Sequence, residues 1–226
     1  ETDLQLTSRP DISMATHQCA RFNSCPKLSH ERSINRICRY LLGTMDKGIV
    51  FRPDHSRGLE CHVDADFAGG YSDNTKDDPI SVYSRTGYVI FYFGCPLIWI
   101  SKMQSEISLS TVEAEYIALS QAMRDVIPFV EQVKEMDSIF QIETPQTIVK
   151  CTLFEDNNGA LELAREPRYR PCTKHIAIKY HHFREHVKSG RVKICPIDTT
   201  EQIADQFTKG LQTSLFEYLR HKLLGW

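Results

Sequence analysis

Four acidic motifs hold the residues best suited to chemistry: HVDADF around Asp64, STVEAEY around Glu115, LFEDNN around Asp156 and IADQFTK around Asp205. Each puts a carboxylate at the end of a hydrophobic strand pattern or on the flank of a helix with an apolar stripe. A carboxylate there is costly unless it is paired or metal-bound. Carboxylates converging from separate elements are how proteins hold Mg²⁺ against phosphate. The pattern therefore points to two-metal chemistry on a phosphodiester.

The elements that must position these acids can be read from periodicity. From Leu59 the period is two, with Leu59, Cys61 and Val63 on one face and Glu60, His62 and Asp64 on the other. Asp66 shares the parity of Asp64, so alternation leaves the two open. Strands are expected over Gly87–Phe93 and Pro96–Ser101, with a tight turn at Gly94-Cys95. The strongest helix follows, with Ser110 and Glu113 as a capping box. Val112, Tyr116, Leu119, Met123, Val126, Val130 and Val133 form its stripe, and Pro128 is expected to kink or split it. Glu115 lies about 70° from the stripe centre and Glu113 about 90° to the other side. Glu113 is already used in the cap, which leaves Glu115 as the functional acid. A strand over Thr147–Phe154 ends in Glu155-Asp156-Asn157, and carboxyl ends of strands are where sheet proteins gather ligands. Helices over Gly159–Ala164 and Ile176–Val187, a strand over Arg191–Ile197, a capped turn from Thr199 and Gln202 carrying Asp205, and a last helix striped by Leu215, Phe216, Leu219 and Leu223 complete the chain. Residues 1–50 read as helical, with a capping box at Ser29-His30-Glu31-Arg32 and an end at Gly43. Such alternation favours one α/β sheet with helices on its faces.

The 226 residues suit one large domain or one domain with an appendage, and 41% hydrophobic with 25% charged residues is a globular composition. The formal net charge of -2 does not advertise a nucleic-acid binder. The eight cysteines form no C-x-x-C pair, and Cys61, Cys95, Cys151 and Cys195 sit in apolar runs as small hydrophobes. There is no signal peptide and no apolar run long enough to span a membrane. A reducing, intracellular setting is expected. The opening ETDLQLTSRPDI, without methionine, reads as the interior of something longer.

Asp, Glu, Asp, Asp on a strand, a helix, a strand end and a late helix resembles the ribonuclease H family. VDADFAG, SLSTVEAEYIALSQA, LFEDNNGALELA, TKHIAIKYHHFREHV and IADQFTKGL together resemble the ribonuclease H domain of copia-type retrotransposon Pol polyproteins. TSRPDISMAT and RYLLGTMDKGI are similar to the tail of the preceding reverse transcriptase. The resemblance implies a ribonuclease H-like mixed five-stranded sheet with flanking helices over residues 56–226, and a helical extension over residues 1–55 from the end of the reverse transcriptase. It implies that Asp64, Glu115, Asp156 and Asp205 bind two Mg²⁺, with Mn²⁺ as a substitute, and that Asp64 is preferred over Asp66. The implied reaction is hydrolysis of the RNA strand of an RNA–DNA hybrid, with ions ~4 Å apart bridged by the first aspartate and products ending in 5′-phosphate and 3′-hydroxyl. The implied partner is the reverse transcriptase part of the same polyprotein, in a cytoplasmic virus-like particle or the nucleus. A decayed or domesticated module that binds nucleic acid or a polymerase without cleaving is the alternative.

A basic strip between Arg165 and Lys193 is expected to meet the phosphate backbone, above all through Arg168, Arg170, Lys174, His175, Lys179 and Arg184. His182 and His186 lack a third ligand at a zinc-like spacing. Many ribonucleases H place a catalytic histidine before the last acidic helix; here Cys195 to Thr200 contains none. His62, on the strand face of Asp64, is a candidate substitute, weighed against a plainly packed histidine.

Overall fold

A computed structural model describes residues 2–73, 75–140, 150–165 and 183–226. Five strands form one mixed sheet: β1 (Leu59–Asp66), β2 (Arg85–Tyr92), β3 (Cys95–Met103), β4 (Cys151–Glu155) and β5 (Val192–Pro196). Their order is β3-β2-β1-β4-β5. The first three form an antiparallel meander; β4 runs parallel to β1, and β5 parallel to β4. This is the five-stranded mixed sheet with flanking helices that the motifs implied.

Alternation explains the layers. Leu59, Cys61 and Val63 of β1, Tyr88 and Ile90 of β2, Cys151 and Leu153 of β4, and Val192 and Ile194 of β5 are buried in one core. Its lid is α4 (Thr111–Phe140), whose Ile117, Leu119, Met123, Val126 and Val130 join that cluster. The opposite face carries Val89, Phe91 and Trp99. There α7 (Asp205–Thr208) supplies Phe207, and α8 (Thr213–Leu224) supplies Leu219 and Leu223. The sheet is thus buried on both sides where β1 and β2 meet, which is where the acids lie.

Gly87 pairs with Asp64 across β1 and β2. A Cβ on it would come within 2.7 Å of Phe207 Cβ and Thr208 Cγ2 and 3.0 Å of the Ala204 carbonyl. Only glycine lets α7 lie flush on the sheet at this point.

The N-terminal helices α1 (Thr2–Thr7), α2 (Ser13–Ala20) and α3 (Leu28–Leu42) are tied to this body. The Trp99 indole donates to the Gln5 carbonyl at 2.6 Å, and Arg85 donates to Gln18 Oε1 at 2.6 Å. The Val50 amide meets the Leu224 carbonyl at 2.9 Å, and the Trp226 indole meets the Gly48 carbonyl at 2.7 Å. Arg9 is buried against Asp11 at 2.8 Å, and the Tyr40 hydroxyl donates to the same carboxylate.

Several local expectations shift. The hairpin turn falls on Phe93 and Gly94, with φ of 51° and 74°, one residue earlier than Gly94-Cys95, because Tyr92 pairs with Cys95. The helix α4 runs through Pro128 as a single element rather than splitting, carried by its long buried stripe. Glu113 reaches back to the Leu109 amide (2.8 Å) rather than that of Ser110, while Ser110 Oγ caps the Glu113 amide (3.2 Å). Helix α3 starts earlier, with the Lys27 amide donating to His30 Nδ1 at 3.0 Å, and Gly43 ends it at an ordinary φ of −74°. Asp198, not Thr199 or Gln202, caps the short 3-10 turn Thr199–Glu201. Residues 147–149 of the expected strand and 176–182 of the expected helix lie outside the described residues. The helix expected over Gly159–Ala164 is α5 (Asn158–Arg165), and the one expected over Ile176–Val187 is described only as α6 (Arg184–Lys188).

Candidate metal centre

The site forms where β1 and β4 part. Their described pairing ends at His62 and Phe154. Gln202, fully buried, fills the opening: its amide nitrogen donates to the Val63 carbonyl at 2.8 Å and to the Phe154 carbonyl at 3.4 Å. The strand ends carrying Asp64 and Asp156 are thereby held at a fixed separation. From the side of α4, Gln104 does similar work, its Nε2 donating to the Ala114 carbonyl at 2.9 Å and to Thr86 Oγ1 at 3.1 Å. That fixes the first turn of α4, and with it Glu115.

All four acids expected from the sequence converge here. Oxygens of Asp64, Asp156 and Asp205 lie within 4.8 Å of one another, and so do oxygens of Glu115, Glu155 and Asp156. Asp156 belongs to both groups. Asp64, Glu115 and Asp205 are only 2%, 3% and 1% exposed, while Asp156 is half-buried at the mouth. Asp66, the next acid along that strand face, joins neither group; its carboxylate is tucked against Gly69, where an added Cβ would touch it. Geometry thus separates two aspartates that parity could not.

Electrostatics match the crowding. Burial pushes the Asp205 carboxyl up to about 7, helped by the charge of Asp64 and opposed by Lys209. Burial also raises Asp64, against the pull of Lys209 and a hydrogen bond from Thr208. Glu115 is raised well above the usual carboxylate range by burial, then by Glu155, Asp64 and Asp156. Like charges held together out of water resist ionisation unless a cation joins them.

The donor set fits hard divalent ions. Every candidate donor is a carboxylate oxygen, the type Mg²⁺ and Mn²⁺ prefer. Glu115 Oε2 and Glu155 Oε2 are buried without a hydrogen-bond partner. Orphaned buried anionic oxygens are rare in proteins and call for a counter-charge.

The retrovirus-related Pol polyprotein from transposon RE1 of Arabidopsis thaliana is 32% identical over 216 residues, which is 96% of this chain and 14% of that polyprotein. The one from transposon TNT 1-94 of Nicotiana tabacum is 33% identical over 218 residues, 96% of this chain and 15% of its own length. Over 96% of its length the chain has copia-type retrotransposon Pol polyproteins as homologues. It spans only a small part of those relatives, so what the whole polyproteins do is not carried over by the match. No family model matches. Among solved structures, a ribonuclease H isolated from compost aligns with a TM-score of 0.46 and 16% identity, covering 67% of this chain and 93% of that one.

Two further residues belong to the acidic centre beyond those the motifs single out. Lys209 places its Nζ 2.9 Å from Asp205 Oδ1 and 3.8 Å from Asp64 Oδ2. Burial works against its charge, but Asp64 and Asp205 outweigh that and keep it firmly protonated. The available signal was its position four residues after Asp205, the reach of an ion pair along one helical turn. Glu155 is the other. The stretch from Cys195 to Thr200, which contains no histidine, contributes a hydroxyl: Thr199 Oγ1 donates to Asp156 Oδ2 at 2.8 Å.

His62 does not take the histidine's place. It is 5% exposed, stacked on Phe154 with its edge toward Phe91, and 3.3 Å from Gln202 Oε1. Burial lowers its pKa to about 4, so it is a packed neutral ring. Of the residues expected to meet nucleic acid, Arg168, Arg170, Lys174, His175 and Lys179 lie outside the described residues. Arg184 is turned inward, donating to the Leu163 carbonyl at 2.8 Å with its guanidinium over the Tyr116 ring. Arg165 likewise donates to the Ile194 carbonyl at 2.6 Å. No described helix is long and apolar enough to cross a membrane.

Proposed function

We propose that this chain is the ribonuclease H segment of its Pol polyprotein, hydrolysing the RNA strand of RNA–DNA hybrids with the help of two divalent ions. The observation that carries the reading is the meeting of Asp64, Glu115, Asp156 and Asp205, from four separate elements, around buried oxygens that lack partners. Asp64, Asp156 and Asp205 would hold one ion and Glu115 with Asp156 the other, so the shared residue would be Asp156 rather than the first aspartate, Asp64. When bound, such ions lower the pKa of an attacking water and stabilise the departing 3′ oxygen.

The chain's own residues prepare the site. Thr208 donates a hydrogen bond to Asp64 Oδ2, and Thr199 donates one to Asp156, so both carboxylates are oriented before any ion arrives. Lys209 keeps one positive charge among three acids and reduces the repulsion an incoming phosphate meets. Residues 1–55 serve in this reading as the end of the preceding reverse transcriptase. Leu28, Leu42 and Met45 in that piece are exposed apolar side chains, of the kind that contact with the polymerase part would cover.

The test is cleavage of an end-labelled RNA–DNA hybrid in Mg²⁺ or Mn²⁺. RNA-strand fragments with 3′-hydroxyl ends are expected from the unaltered chain and none from Asp156→Asn. Tight hybrid binding without cleavage at any ion concentration would instead support a decayed binding module.

A further inference from the structure

Strand β4 alternates cleanly: Cys151, Leu153 and Glu155 face the core under α4, and all three are buried. The first two are apolar, as that face requires. Glu155 breaks the pattern with a side chain that is 0% exposed. Its Oε1 accepts from the Asn157 amide at 3.1 Å, and its Oε2 has no partner. Glu115 Oε2, across the same pocket, is also without one. One oxygen each of Glu155, Glu115 and Asp156 lies within 4.8 Å of the others.

The centre therefore has two unequal halves. On the α7 side, the group of Asp64, Asp156 and Asp205 has Lys209 as its internal cation. On the α4 side, the group of Glu115, Glu155 and Asp156 has no ion pair to any cation among the described residues. Two buried glutamates facing each other with unfilled oxygens need either a proton or a cation. A shared proton would satisfy one unpartnered oxygen on each glutamate and leave Asp156 out. A small hard cation would satisfy all three carboxylates together.

We propose that Glu155 is a fifth metal ligand of this centre, completing with Glu115 and Asp156 an all-carboxylate subsite for a divalent cation of the Mg²⁺ or Mn²⁺ class. The subsite rests on the metal-dependent reading above and deepens it. Three carboxylates on the α4 side would give the second ion a firmer seat than Glu115 and Asp156 alone. They would hold it without nucleic acid present.

The experiment is a Mn²⁺ titration of the whole chain, free of nucleic acid, followed by calorimetry and by the electron paramagnetic resonance of free Mn²⁺. Two ions per chain are expected. Glu155→Gln has the shape of a neutral acid, so if Glu155 is merely a protonated core residue, both ions remain with unchanged affinity and the proposal is overturned. If it is a ligand, one ion weakens at least ~10-fold, the scale seen even for groups that only support a ligand, while the other keeps its affinity. Asp205→Asn is expected to weaken the opposite ion. Glu155→Leu restores the apolar strand pattern and guards against misfolding: it is expected to raise the melting temperature in chelator and still lose that one ion. Retention of both ions in Glu155→Leu would also overturn the proposal. Hybrid cleavage by the unaltered chain is scored separately. Two bound ions without cleavage would remove the nuclease reading and leave the subsite standing, whereas cleavage with full Mn²⁺ binding in Glu155→Gln would do the reverse.

Discussion

Removing divalent ions is expected to make the stability of this protein fall as the pH rises from about 4 to about 7. Asp205 carries the clearest signal, its carboxyl lifted from the ordinary 3.8 to about 7 by burial and by Asp64. Between those values the folded state holds a proton that the unfolded state has released. Stability then declines with pH, because the folded state binds more protons than the unfolded one. The loss is absent below the unfolded value and complete once the pH passes the folded one. At about 1.4 kcal/mol per pH unit, Asp205 alone accounts for on the order of 4 kcal/mol. Asp64, Glu115 and Glu155 are raised in the same direction and add to it. That is a large share of the roughly 5–15 kcal/mol that holds a typical domain together. The assay is urea unfolding at half-unit steps from pH 4.5 to 7.5, in chelator and in excess Mg²⁺. In chelator the midpoint is expected to fall with pH, and in Asp205→Asn to fall less steeply. In Mg²⁺ the slope is expected to flatten or reverse, since ions bind the deprotonated acids. A chelated protein whose stability is flat or rises over this range would refute the reasoning.

Other outcomes follow from the same geometry. Lys209→Met removes the internal cation; with its side chain 36% exposed, a loss of about 1–3 kcal/mol is expected in chelator, largely recovered by Mn²⁺ in a thermal melt. An equal loss with and without Mn²⁺ would show that the lysine is not standing in for a metal. Gly87→Ala puts a methyl against Phe207 and Thr208 and is expected to cost about 1–3 kcal/mol. Hybrid cleavage is expected to drop further than stability, since α7 carries Asp205; a fully active variant would mean that α7 need not lie flush on β2. Asp64→Asn is expected to abolish cleavage and Asp66→Asn to leave it within a few-fold. Equal losses in steady-state rates would contradict the separate placement of the two.

How much of this was legible in the sequence depends on the range of the interaction. The stripe of α4 and the alternation of β1 are local patterns, and both were readable. Four of the five central carboxylates were found because their motifs resemble a known set, not because any one stands out. Asp64 and Asp66 were inseparable by parity; what separates them is Thr208 and Lys209 arriving from α7, over 140 residues away, since Thr208 bonds Asp64 across 144 positions. Glu155 reads as a polar strand end, although its spacing from Cys151 and Leu153 places it on the core face. The loop histidine's absence was readable, but Thr199 bonding Asp156 was not, because that contact spans 43 positions. Gln202, which wedges β1 and β4 apart, reads from the sequence only as a cap of the turn before Asp205, because its bonds to Val63 and Phe154 span 139 and 48 positions. The hairpin was misplaced by one residue because Phe93 adopts a left-handed φ of 51° that sequence rules reserve for glycine or asparagine. The attachment of residues 1–50 to the sheet edge and α8 depends on contacts such as Trp99 with Gln5, which periodicity cannot foresee.

The most direct measurement is anomalous X-ray diffraction from crystals of the whole chain soaked in Mn²⁺. Two manganese peaks are expected, one among Asp64, Asp156 and Asp205 and one between Glu115 and Asp156. Manganese found only elsewhere on the surface, with Lys209 still seated on Asp205, would contradict the idea that these buried acids exist to hold divalent ions.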